Sequence, residues 1–144
     1  MHKLVTLISL IMVCSCYALK VMSLEIASDS DNQLQTIDDI RLPVDSKINA
    51  GIVNRHPVSL VNFSCPLFVI GDDAQSRDWL VKHAVQMKDL HALGFVANVK
   101  TKTSLHQLEQ IAGVPLMPVN VDDLSDVLQV NHYPFVFESG VVWQ

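Results

Sequence analysis

The residues able to do chemistry are few, and most have a structural use nearby. His83 and His91 stand eight apart, close to one helical stripe, with Asp78 and Asp89 in reach. A metal centre needs three or four convergent ligands, and neither His-x-x-x-His nor Cys-x-x-Cys occurs. These histidines read as structural or solvent-facing, and no metal or cofactor is expected. Asp72, Asp73 and Asp78 suggest paired carboxylates or a calcium loop, but the glycine and terminal glutamate of an EF-hand are missing. Acids at a helix N-terminus are favoured by the helix dipole without any catalytic need. Arg77 can pair with Asp73 at i,i+4. His132, just before Tyr133-Pro134, reads as a packing or partner contact. No Ser/His/Asp order, phosphate-binding glycine loop or nucleophile elbow is visible, so no enzyme is expected.

Thiol chemistry depends on what the N-terminus does. Lys3 and an apolar run from Leu4 to Val13 precede Cys14-Ser15-Cys16-Tyr17-Ala18, which reads as a secretory signal peptide over residues 1–18. The run is too short for the roughly 20 residues of a spanning helix, and no span is expected after cleavage near Ala18. Acylation at Cys16 is the alternative processing route. Cleavage removes two of the three cysteines and leaves Cys65. Beside Pro66 at the edge of an apolar run, Cys65 reads as a small buried hydrophobe.

The 144-residue chain carries a net charge of −5, and losing Lys3 takes it to −6. With no basic cluster to neutralise phosphates and few aromatics to stack on bases, direct nucleic-acid binding is disfavoured. The remaining length suits one domain.

Elements that would position these residues follow from periodicity. Residues 19–39, with Ser28-Asp29-Ser30-Asp31 near their centre, lack an apolar period and read as a flexible acidic leader. Residues 40–65 carry scattered apolar points and read as an extended segment packing on the domain. The domain proper spans residues 66–144. Leu67-Phe68-Val69-Ile70 reads as a strand buried on both faces. A helix follows, capped by Asp73 or Ser76, with Leu80, Ala84, Met87 and His91 on its inner stripe. Phe95 to Val99 reads as a second strand. A second helix starts near Ser104, with Gln107 at capping-box spacing and Gly113 to end it. Pro115 and Pro118 exclude a central strand from Val114 to Val119. A short helix covers Asp122 to Leu128. Tyr133-Pro134-Phe135-Val136-Phe137 and Val141-Val142-Trp143 form a hairpin about Glu138-Ser139-Gly140.

This α/β order, βαβ-α-ββ, resembles the thioredoxin fold with a four-stranded mixed sheet, but it lacks the final helix and the Cys-x-x-Cys. Pro134 occupies the place of that fold's cis proline. Asp72-Asp73-Ala74-Gln75 stands where the dithiol would be, so exchange chemistry has no thiolate to use. The uncovered sheet face requires either the apolar points between Ile40 and Phe63 or a partner.

Several segments together resemble a family of small exported proteins encoded in integrating conjugative elements. They are Arg41-Leu42-Pro43-Val44, Pro66 to Asp73 with Ser76-Arg77-Asp78-Trp79-Leu80, Gly94 to Val99, and His132-Tyr133-Pro134 with the turn at Gly140 and Gln144. A more distant similarity is to the thioredoxin-like TrbC proteins of F-type conjugation systems. The closing strands depart from the family picture in being bulkier, with Phe135, Phe137 and Trp143. The resemblance implies a periplasmic part of a conjugative type IV secretion apparatus. Its partners would be other proteins of that machine, or a second copy of itself. The residues expected at a partner or structural site are Asp72, Asp73, Arg77, Trp79, His132, Tyr133, Pro134, Phe135, Phe137 and Trp143. Two other readings are a thiol-dependent periplasmic redox enzyme using Cys65, and a small periplasmic ligand-binding module.

Overall fold

The computed structural model describes residues 41–59 and 64–144. The signal peptide, the acidic leader and positions 40 and 60–63 of the extended segment lie outside the described residues. Among those described, no helix is long and apolar enough to cross a membrane.

Chain order starts with two short strands, β1 (Asn49–Ala50) and β2 (His56–Pro57), then β3 (Leu67–Ile70). Helix α1 (Ala74–Asp89) crosses to β4 (Leu93–Val96), and α2 (Lys102–Ala112) crosses to β5 (Leu116–Pro118). After α3 (Asp122–Leu128) come β6 (His132–Tyr133), β7 (Phe135–Glu138) and β8 (Val141–Trp143). The fold is mixed α/β. Its main sheet has six strands in the order β2-β8-β7-β3-β4-β5. β3, β4 and β5 run parallel, whereas β7 is antiparallel to β3, and β8 and β2 continue the antiparallel half. β1 and β6 form a separate parallel pair.

β3 is central and apolar throughout because both faces are covered. Phe68 and Ile70 point into a core with Trp79, Leu80 and Met87 of α1 and Leu105 and Leu108 of α2. Leu67 and Val69 point into a second core with Phe135, Phe137, Val142, Leu128 of α3, and Ile48 and Val58 from the N-terminal segment. Period-two alternation sends successive side chains to opposite faces, so a strand with both faces packed shows no polar break.

Several sequence expectations change. The sheet has six strands instead of four, because β2 and β5 add short edges. β5 lies at an edge, where Pro118 need not donate to a ladder. The second strand runs Leu93–Val96 instead of Phe95–Val99: the chain bends at Ala97 and Asn98, which stay bonded to Ile70 and Asp72, and Val99 bridges to Val44. α2 starts at Lys102, capped by Thr101, whose hydroxyl accepts the Ser104 amide. His91 is not on the α1 stripe. The helix ends at Asp89, and His91 is exposed at φ 51°.

The hairpin turns on Ser139 (φ 50°) and Gly140 (φ 78°), two residues instead of three. Positive φ at both positions matches the twist of the flanking strands.

Candidate functional site

The sequence candidates converge at the C-terminal end of β3, where α1 begins. Asp73 has extended backbone angles and caps α1: Oδ1 accepts the Ser76 amide at 2.9 Å and Oδ2 accepts the Ser76 hydroxyl at 2.9 Å. Ser76 Oγ in turn accepts the buried Gly71 amide at 2.9 Å. Both carboxylate oxygens of Asp73 are thus committed, and the expected Arg77–Asp73 pair does not form. Arg77 pairs with Asp72 instead, and its other amino group reaches Gln107 Oε1 at 3.4 Å.

Facing this helix start is the His132-Tyr133-Pro134 segment, with the Tyr133–Pro134 bond cis. The Leu42–Pro43 bond is cis as well. The buried Tyr133 ring lies directly against the Cα of Gly71, where any Cβ would collide with it. Asn98 Nδ2 donates to the Tyr133 hydroxyl at 3.2 Å and to the Ile48 carbonyl at 2.8 Å, while Asn98 Oδ1 accepts the Ser46 amide. Burial pushes the Tyr133 phenol pKa up; the Asn98 bond opposes this, and the charges of Asp73, Asp45 and Asp72 add to the rise. The phenol therefore stays protonated. Asp45, Asp72, Lys100 and Tyr133 line an open cleft of about 700 Å³ here.

Pro134 itself lines another, more open groove of about 530 Å³, together with Gln75, Trp79, His83 and Gln144. His83 stacks on Trp79 with ring centroids 4.5 Å apart, and Trp143 meets the His83 edge at 6.2 Å. His83 Nδ1 lies 2.9 Å from the Trp79 carbonyl, so His83 is held by its own helix. Trp79 is buried, and its indole N–H has no hydrogen-bond partner.

The residues that follow β1 are tied to Tyr133 and, through Gln144, to Pro134. The Gly51 amide donates to the Tyr133 carbonyl at 2.9 Å. The Gly51 carbonyl accepts from Gln75 Nε2 at 2.7 Å and from Gln144 Nε2 at 2.8 Å. Gln144 Nε2 also donates to the Pro134 carbonyl at 2.9 Å, and Gln144 Oε1 accepts the Val53 amide at 3.3 Å. His132 Nδ1 lies 2.7 Å from Asn49 Oδ1.

The candidate residues thus divide. Asp72, Asp73, Arg77, Tyr133 and Pro134 surround the start of α1, Trp79 and Trp143 flank His83, and His132 holds Asn49. Phe135 and Phe137 belong to neither group. At 0% and 1% exposure they fill the second core, which is the structural and not the partner side of what was expected of them. β7 lies between β3 and β8, and both its faces are packed. Cys65 is also corrected. It is exposed, because it precedes Pro66 and the buried strand starts only at Leu67.

Sequence reasoning missed Ser46, Gly51, Gln75 and Asn98 as site residues and valued Gln144 only as part of a resemblance. Their partners lie tens of residues away, and carboxamides carry no motif. Among the described residues, no group of three or more His, Cys, Asp or Glu side chains could hold a metal ion. The carboxylates at the helix start are engaged in capping and pairing.

Comparison with known proteins gives one match: a family described as a protein of unknown function (DUF2859) matches residues 20–141. No curated protein and no solved structure matches the chain.

Proposed function

We propose that this chain, which belongs to the DUF2859 family, is a non-catalytic periplasmic component of a conjugative type IV secretion apparatus that works through protein contacts. The observation that carries the non-catalytic part is the chemistry at the start of α1. A redox protein of thioredoxin type needs a thiolate there, and Asp73 instead spends both carboxylate oxygens on Ser76. Cys65, at the opposite end of β3, has no neighbouring thiol to exchange with among the described residues.

The reading takes the fold to be thioredoxin-like. The order β8-β7-β3-β4, with β3 and β4 parallel and β7 and β8 antiparallel, supports this. β5 and β2 extend that core on either side. The conjugative setting rests on the sequence segments that resemble exported proteins of integrating conjugative elements, and export rests on the apolar leader.

Deletion of the gene from its parent element, with complementation by the full chain, is the decisive experiment. DNA transfer should fall on deletion and return with the wild-type chain, and also with Cys65→Ser. Unchanged transfer on deletion refutes the assembly role. Loss of complementation by Cys65→Ser favours the thiol-dependent alternative, which the exposure of Cys65 keeps chemically open.

A further inference from the structure

We infer that the open half of the sheet face, over β4 and β5, is a docking groove for the end of the chain's own leader, and that Leu34, Ile37 and Ile40 fill it.

The face is apolar and incompletely covered. α1 and α2 pack on the side that holds Val96 and Leu116, and alternation turns Phe95 and Met117, paired across β4 and β5, to the other side. There α3, Ile48 and Val58 pack with Leu67, Val69 and the closing phenylalanines. Leu93, Met117 and Val119 are left 41%, 37% and 39% exposed. A groove of about 510 Å³ adjoins them, with Phe95, Met117, Val119, Arg41 and Pro43 among its walls. Large apolar side chains gathered along one groove mark a docking surface, where single scattered ones do not.

The occupant follows from where the chain enters. The described residues begin at Arg41, which itself lines the groove, and the Val44–Val99 bridge fixes the chain three residues later. The peptide bond to Ile40 therefore starts at the groove wall. The leader as a whole lacks an apolar period, but its end carries Leu34, Ile37 and Ile40 three apart. The seven residues 34–40 can reach about 10 Å as a helix and about 23 Å extended. The exposed strip, about 10 Å along β5 and one strand spacing of about 4.8 Å across, is within either reach. A tethered segment acts at an effective concentration of about a millimolar, against which a second copy at micromolar concentration competes poorly. The family match starts at residue 20, so these residues belong to the region the family shares.

The contact is internal to the chain and independent of the conjugative setting, so its test stands apart from DNA transfer. Oxidation of Met117 by dilute hydrogen peroxide, followed in the full chain by peptide mass spectrometry, reads the cover directly. Met117 should oxidise at least tenfold more slowly in the wild type than in the triple variant Leu34→Asp, Ile37→Asp, Ile40→Asp. Met87, 1% exposed in the core beneath α1, should stay protected in both and reports that the fold is intact. Equal Met117 rates in the two proteins overturn the inference. Protection that grows with protein concentration assigns the groove to a second copy and overturns it as well. If the triple variant loses Met87 protection, Ile37→Asp alone decides: a rise of at least threefold in the Met117 rate supports the leader, and a smaller one overturns it.

Discussion

Glu109 Oε1 accepts the backbone amide of Leu116 at 3.1 Å, and this bond closes the free edge of the main sheet. Val119 donates inward to Val96, so alternation along β5 turns the Leu116 amide and the Pro118 nitrogen outward. One is bound by a carboxylate and the other carries no hydrogen. The second carboxylate oxygen lies 3.0 Å from His106 Nδ1.

Glu109→Ala should therefore have two effects. Stability should fall by roughly 1.5–3 kcal/mol, the range for losing a charge-assisted bond to a partly buried amide. The freed amide should also promote self-association, seen as concentration-dependent sedimentation. Glu109→Gln, which keeps an acceptor, should remain monodisperse under conditions where the alanine variant associates.

The same economy of carboxylate oxygens governs α1. Asp73→Ala removes the cap from the helix and the partner from the buried Ser76 hydroxyl, so the loss should reach about 1–2 kcal/mol. Asp73→Asn retains one acceptor and should lose less. Urea denaturation of both variants measures the difference, and equal losses would show that the acceptor kept by asparagine, the cap on the Ser76 amide, contributes nothing.

Where the chain's local pattern decided the outcome, the sequence was readable. Leu67–Ile70 is apolar at four successive positions and lies buried on both faces, and α3 occupies the range its spacing predicts. By residue type both Thr101 and Ser104 can cap a helix, and the spacing to Gln107 pointed to Ser104. The choice fell to Thr101 because the Val99–Val44 bridge holds the preceding chain extended. Arg77 missed Asp73 because helical spacing says nothing of a carboxylate already engaged by Ser76. The cover of the second core by Ile48 and Val58 depends on pairings β1–β6 and β2–β8, whose partners lie more than eighty residues apart and leave no local trace.

Burial separates the closing aromatics. Phe135→Ala and Phe137→Ala should each cost about 3–5 kcal/mol, the usual loss for a large aromatic removed from a packed core. They should lower the thermal midpoint before any partner is considered. Val85→Lys, at an exposed position on α1, should leave stability within about 0.5 kcal/mol. A Phe137→Ala protein with wild-type stability would remove Phe137 from the core assigned to it.

Exposure sets the behaviour of Cys65. A thiol reagent should label it fully in the native protein at a rate near that of the unfolded chain. Cys65→Ser should leave stability within about 0.5 kcal/mol. In an oxidising medium the wild type, with its N-terminal 18 residues removed, should form a reducible dimer that the serine variant does not. Slow native-state labelling would contradict the exposed position.

His56 predicts a pH dependence with a definite sign. Nδ1 lies 2.8 Å from the Asn54 carbonyl and Nε2 2.9 Å from the Leu128 carbonyl. Neutral imidazole has one N–H and can satisfy only one of these acceptors, whereas imidazolium satisfies both. The Asn54 carbonyl, then that of Leu128, raises the pKa above 6.5, against a smaller opposing effect of burial. Leu128 ends α3, where the helix dipole also favours a cation. Because the folded-state pKa is the higher one, the stabilisation is fully present below the unfolded value near 6.5 and is lost as pH rises through the folded value. Urea midpoints should therefore fall more steeply between pH 6 and pH 8 for the wild type than for His56→Gln. Parallel profiles would mean that the two carbonyls do not hold the imidazolium.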